Sequence, residues 1–156
     1  MKKIVVFLMF FVQFGFAQDA IIPKNQMNSI RYEYNWKDET FLIINYRYPQ
    51  DYCPYENYEE LDKTYTWLTD KVYGKIDLTN IRNIYVYEDK LAAKPILDFT
   101  THYDDVGHYF LKNFFDKKGN CIGLLIINSQ GAYKYIIGDY SSKDIINIME
   151  ALKIKE

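Results

Sequence analysis

Cysteine and histidine are scarce in this 156-residue chain, with two of each. Glycine-rich phosphate loops, Ser-centred nucleophile elbows and helical His-Glu-x-x-His patterns are all missing, which removes the motif-based nucleotide, hydrolase and zinc-protease readings. No block of five or six like charges occurs, so neither a charged tail nor a polyanion site is expected. Nineteen Lys and Arg face 21 Asp and Glu. That balance leaves no footprint for nucleic acid. Internal repeats and low-complexity tracts are also absent. His102 and His108 lie six apart, off the i, i+4 spacing of a helical metal pair. A surface site built from His102, Asp104 and His108 competes there with a solvated loop and helix start, and no metal or cofactor is expected.

What the chain has is apolar and aromatic mass: 49% hydrophobic residues and 18% aromatic, with 16 tyrosines. This is enough to bury a core and argues against wholesale disorder, a collagen-like repeat or a long coiled coil. The N-terminus carries Lys2 and Lys3, an apolar stretch over 4–14 and the small-x-small triplet Gly15-Phe16-Ala17. These predict a secretory signal over 1–17, cleaved before Gln18. The stretch is shorter than the roughly 20 residues of a spanning helix, and no second run is long enough, so no membrane span is expected after cleavage. The remaining chain has net charge −4. Export to an oxidising periplasmic or extracellular space follows.

Residues 18–28, with Pro23 and no clear period, predict a tether, and 29–156 a single domain. Ile30, Tyr32, Tyr34 and Trp36 alternate with polar residues, predicting an N-terminal edge strand. Phe41-Leu42-Ile43-Ile44 reads as a strand buried on both faces. Tyr58, Leu61, Tyr65, Leu68 and Val72 form one helical stripe, with Gly74 placed to end it. A second β-rich run covers 81–87, and the long connection over 88–103 has room for a short helix near Leu91. Asp104 and Asp105 suit the first turn of another helix, with Val106, Tyr109, Phe110 and Phe114 on one face. Runs over 121–127 and 133–137, joined by Asn128-Ser129-Gln130-Gly131, make a hairpin. Ser141 or Ser142 then caps a last helix bearing Ile145, Ile146, Ile148, Met149 and Leu152.

A βαβ unit sets its strands parallel and a hairpin sets its strands antiparallel, so this order predicts a mixed sheet with helices on both faces. With "DYCPYENYEEL" at the first strand-to-helix junction and "NCIGLLIINSQGAYKYIIGDYSSKDIINIMEAL" at the end, the chain over 41–152 resembles the thioredoxin-like superfamily. The resemblance implies a three-layer α/β domain, here with the extra N-terminal edge strand. It also implies that Cys53, followed by Pro54, stands where the family carries its redox thiol. Two departures are plain. The family's second motif cysteine is Glu56, which excludes CxxC dithiol exchange, and Ile122 occupies the family's cis-proline position with Cys121 just before it. Thiol-peroxidase spacing is absent too, since Pro49 is at the wrong distance and the motif's Thr is missing.

An even pair of cysteines in an oxidising compartment favours a structural disulfide. The resemblance places the Cys121 loop against the helix start carrying Cys53, within reach of a bond. There the positive end of a helix favours a Cys53 thiolate, while Glu56 opposes it. Two readings follow. One is an exported thioredoxin-like protein exchanging disulfides through Cys53, with Cys121 resolving, an oxidoreductase without a CxxC motif acting on a disulfide substrate. The other is a non-catalytic thioredoxin-like module, stapled by Cys53–Cys121, that binds a protein partner or small ligand. Tyr46, Tyr48, Tyr52 and Tyr55 surround the position and suggest an aromatic partner surface.

Overall fold

The computed structural model describes residues 20–53, 57 and 60–153. The signal segment, residues 18 and 19 of the expected tether, and Pro54, Tyr55, Glu56 and Tyr58 lie outside them.

A five-stranded mixed sheet forms the middle layer. Its strands are β1 (Phe41–Arg47), β2 (Ile81–Tyr87), β3 (His102–Asp104), β4 (Ile122–Asn128) and β5 (Tyr133–Ile137). They lie side by side in the order β3-β2-β1-β4-β5. β1, β2 and β3 run parallel, while β4 is antiparallel to both β1 and β5. All seven residues of β1 are buried. Its unbroken apolar run therefore marks the centre of the sheet, where both faces are covered.

Alternate residues of the strands feed two cores, because successive side chains point to opposite faces. Leu42, Ile44, Ile84, Val86, Leu125 and Ile127 meet α1 (Lys24–Glu33) and α4 (Tyr109–Asn113). Phe41, Ile43, Tyr85, Tyr87, Leu124 and Ile126 meet α2 (Leu61–Trp67), α3 (Lys90–Ala93) and α5 (Ser142–Leu152). The result is an α/β domain of three layers. α2 continues through a π turn, Leu68–Val72, and a 3-10 turn, Tyr73–Lys75, so the stripe Leu61, Leu68 and Val72 stays on the core. Ser141 closes a capping box with Asp144 at the start of α5. Among the described residues no helix is long and apolar enough to cross a membrane.

The N-terminal edge strand expected over 30–36 is not there; those residues begin in α1. The alternation Ile30, Tyr32, Tyr34, Trp36 overlaps a helical stripe, Met27, Ile30, Tyr34, and burial follows the stripe. Met27, Ile30 and Tyr34 are buried while Tyr32 is 84% exposed. The helix ends at Glu33, capped by Tyr34; Asn35 follows at φ 49°, and Trp36 donates from Nε1 to the Glu39 carbonyl at 2.9 Å. Nor is the lead-in a free tether from Ala20 on. Ile22 is buried, its N–H donates to the Gly131 carbonyl at 2.9 Å, and Ile21 pairs with Ala132. The edge strand beside β2 is instead β3, drawn from the connection after β2. Val106, expected on the core face of α4, is 45% exposed. Gly107 (φ 66°) and His108 (φ 55°) break the helical path between Val106 and α4.

Candidate functional site

The two cysteines meet where β1 ends and β4 begins. Arg47 is the register partner of Ile122, so the residues after one and before the other are neighbours by construction. The Tyr48 N–H donates to the Cys121 carbonyl at 3.1 Å, extending the ladder by one step. The chain then turns: Tyr52 N–H donates to the Pro49 carbonyl at 2.9 Å and Cys53 N–H to the Gln50 carbonyl at 3.2 Å. This brings Cys53 back beside Cys121, and the two form a disulfide with a Cα–Cα distance of 4.6 Å. From the other side, the Gly119 N–H donates to the Tyr52 carbonyl at 2.8 Å.

The two sulfurs have different surroundings. Cys53 is 1% exposed, whereas Cys121 is half-buried. Cys121 and Ile122 line an open groove of about 330 Å³ with Glu60, Lys63, Thr64, Trp67 and Asp139. Lys63 and Glu60 pair at 2.6 Å along its rim, and Trp67 is 49% exposed. Lys63 and Trp67 were not singled out from the sequence, but with Glu60, the residue that caps α2, they follow the helical spacing i, i+3, i+7 next to the buried stripe. Ile122, expected at the cis-proline position, opens β4 as a half-buried residue. Cys53 is not at the expected helix start: it closes the turn from Gln50, Asn57 is not helical either, and α2 begins only at Leu61, while Pro54 and Glu56 lie outside the described residues.

The expected aromatic partner surface is mostly interior. Tyr46 and Tyr48 are 1% and 0% exposed. They alternate with Asn45 and Arg47 on a central strand and its extension, and both join the core under α4. Tyr46 stacks on Phe115 with ring centroids 4.4 Å apart, and Tyr48 meets Phe115 edge-on at 5.7 Å. The Tyr46 hydroxyl donates to Asp105 Oδ2 at 3.0 Å. Burial, followed by the Asp116 carboxylate, pushes the Tyr48 hydroxyl well above its ordinary value. Tyr52 is half-buried, with Lys118 Nζ 5.3 Å from its ring centroid. Tyr55 lies outside the described residues.

His102 is not in a solvated loop: it is buried on β3. Its Nδ1 shares a hydrogen bond of 2.9 Å with the Tyr87 hydroxyl, and its ring packs against Tyr65, Tyr85 and Tyr87. His108 is exposed and pairs with Glu88 at 2.8 Å, so the two histidines are separated by role as well as by sequence. Among the described residues no group of three or more His, Cys, Asp and Glu side chains is placed to hold a metal ion. No protein-family model, curated protein or solved structure matches this chain.

Proposed function

We propose that the chain is an exported, thioredoxin-like binding module whose Cys53–Cys121 disulfide is a structural staple. The observation that carries this reading is the burial of Cys53: at 1% exposure it offers no sulfur to an incoming thiolate. The thioredoxin-like part of the proposal is supported by the parallel pair β1 and β2, the antiparallel hairpin β4 and β5, and the closing helix α5. It is supported as well by the juxtaposition of the post-β1 loop with the residue before β4. Export is supported by the disulfide, which persists in oxidising compartments. The staple closes a 68-residue separation, which by chain entropy contributes about 4 kcal/mol.

The half-buried Cys121, on the rim of the Trp67 groove, favours a second reading. In it a substrate dithiol reduces the bridge. One substrate thiolate attacks Cys121 Sγ, the Cys53–Cys121 bond breaks, and Cys53 leaves as the thiolate. The second substrate thiol then displaces Cys121, giving a substrate disulfide and two protein thiols. Attack at Cys121 reverses the roles that the family resemblance implies for the two cysteines. Oxidation of a dithiol peptide, followed with the unmodified protein and with Cys121→Ser, separates the two readings. The staple reading expects no difference between them; a rate lost in Cys121→Ser overturns it.

A further inference from the structure

A pocket of about 200 Å³ lies on the opposite side of the domain's architecture, between α1 and the loop that leads into α4. Its floor is Ile30 and Tyr34, both buried, and its walls include Val106 and Tyr109. Gln26 and Glu33 rise from α1 at the rim, three and four positions either side of Ile30 and so on its face. We propose that this pocket binds a small organic ammonium ion with an apolar body.

Three observations support that ligand class. First, the lip of the pocket is built at a conformational cost. Gly107 (φ 66°) takes the left-handed conformation freely, but His108 (φ 55°) beside it does not, and a non-glycine residue in that region persists only when its surroundings hold it. They are held by several bonds. The Asp105 carboxylate accepts from the Phe110 and Leu111 N–H groups at 2.9 Å each, Lys112 Nζ donates to the Gly107 carbonyl at 3.0 Å, and His108 Nδ1 meets Glu88. The outcome is that Val106 is presented to the pocket rather than to the core. An apolar side chain held outward beside a buried apolar floor suits an apolar ligand body.

Second, the walls are aromatic and fixed. The Tyr109 hydroxyl donates to Gln26 Oε1 at 2.8 Å, and the Tyr34 hydroxyl donates to the Asp104 carbonyl while accepting from the Val106 N–H, each at 3.3 Å. Rings locked in this way present π faces and edges without further ordering cost, and π faces attract cations. Third, carboxylates lie beside the pocket: burial and then Asp105, Asp104 and Glu33 push the Tyr34 hydroxyl upward, against the Val106 N–H, which lowers it. Asp104 is paired with Lys90 at 2.9 Å and Asp105 is taken up by its donors. Glu33 has no hydrogen-bond or ion-pair partner among the described residues, which leaves one carboxylate at the rim for a cation.

The pocket shares no lining residue with the groove beside Cys121, so the inference stands whichever role the disulfide has. It is tested by titrating the full mature protein with 2-phenylethylamine and, separately, with its uncharged analogue 2-phenylethanol, following the methyl signals of Ile30 and Val106 by NMR. The amine is expected to shift both signals saturably at millimolar concentration and to bind about tenfold tighter than the alcohol, the difference one charge-assisted hydrogen bond makes. Glu33→Gln, an exposed change that leaves signals elsewhere in place, should erase that preference. Val106→Trp, which fills the mouth, should abolish the response to both probes. No saturable shift, equal or tighter binding of the alcohol, or an undiminished preference in Glu33→Gln overturns the proposal.

Discussion

Asn45 shows how one polar side chain can organise a buried layer. It sits on the central strand, 3% exposed, and uses every hydrogen-bonding position of its amide. Its Nδ2 donates to Asn83 Oδ1 and to the Ile84 carbonyl at 2.8 Å each, and its Oδ1 accepts from the Tyr73 hydroxyl at 2.5 Å and the Tyr140 hydroxyl at 2.7 Å. Two buried phenols, Tyr73 from the 3-10 turn after α2 and Tyr140 from the loop before α5, therefore share one acceptor. Asn45→Leu leaves both without it and should cost about 2–5 kcal/mol in urea unfolding, the sum of unsatisfied buried donors. Tyr140→Phe removes one donor while Tyr73 still serves the amide, and about 1 kcal/mol is expected. Equal losses for the two variants would show that the network does not centre on Asn45. None of this was legible beforehand, because an Asn inside an apolar run does not announce what lies across the sheet from it.

At the scale of elements, β3 and β4 make separate predictions. β3 is only three residues long and is held beneath α2 by the His102 stack. Burial lowers the His102 pKa below its ordinary value, against the opposing pull of Asp98 and Asp62. The unfolded chain therefore binds a proton that the folded chain refuses, and stability falls as pH drops through the ordinary imidazole value of about 6.5. Urea midpoints measured between pH 7.5 and pH 5.5 should decline in the unmodified protein and stay flatter in His102→Asn. Parallel slopes would remove His102 from the pH response. The Asp98 carboxylate acts in a lower window. Burial raises its pKa, but the N–H groups of His102, Thr100 and Thr101 outweigh it and leave it lowered. Its contribution is present above the ordinary carboxylate range and is lost only in acid.

In β4, a Cβ at Gly123 would lie 2.5 Å from Phe115 Cε1 and 3.3 Å from the Ile136 carbonyl oxygen. Gly123→Ala must displace a fully buried ring and should cost about 1–3 kcal/mol, the usual range for overpacking; a neutral change would mean that Phe115 has room to move. The elements that could be read from the sequence are those with a long or punctuated pattern: β1 as an apolar run, the α2 stripe, the β4–β5 hairpin with its Asn-Ser-Gln-Gly turn, and α5 behind its Ser cap. α1 was misread because Ile30 and Tyr34 satisfy a period of two and a spacing of four together, and only burial separates those. β3 was missed because three residues cannot display a period at all.

For the whole molecule, the three layers followed from element order, and the meeting of Cys53 with Cys121 followed from adding the family resemblance to a two-cysteine count. The relative exposure of the two sulfurs did not, since it depends on how the turn after Tyr48 folds back under the Tyr52 carbonyl contact with Gly119. Tyr46 and Tyr48 leave the expected aromatic surface for the same reason: they lie near Cys53 in sequence but face inward in the fold. By chain entropy a bridge closing a 68-residue separation contributes about 4 kcal/mol, a large share of the roughly 5–15 kcal/mol typical of a domain. Cys53→Ala with Cys121→Ala should therefore lower the urea midpoint sharply while leaving the folded form's circular dichroism unchanged. An unshifted midpoint would deny the bridge a stabilising role.

A structural staple stays closed to mild reductant while the protein is folded, and the intact mass of purified mature protein after alkylation reads this. Folded and urea-unfolded samples are alkylated with and without prior exposure to a mild reductant. No added label is expected on the folded protein under either condition, and two labels once it is unfolded with reductant present. Two labels on the folded protein after mild reduction, or two labels with no reductant at all, would contradict a structural staple.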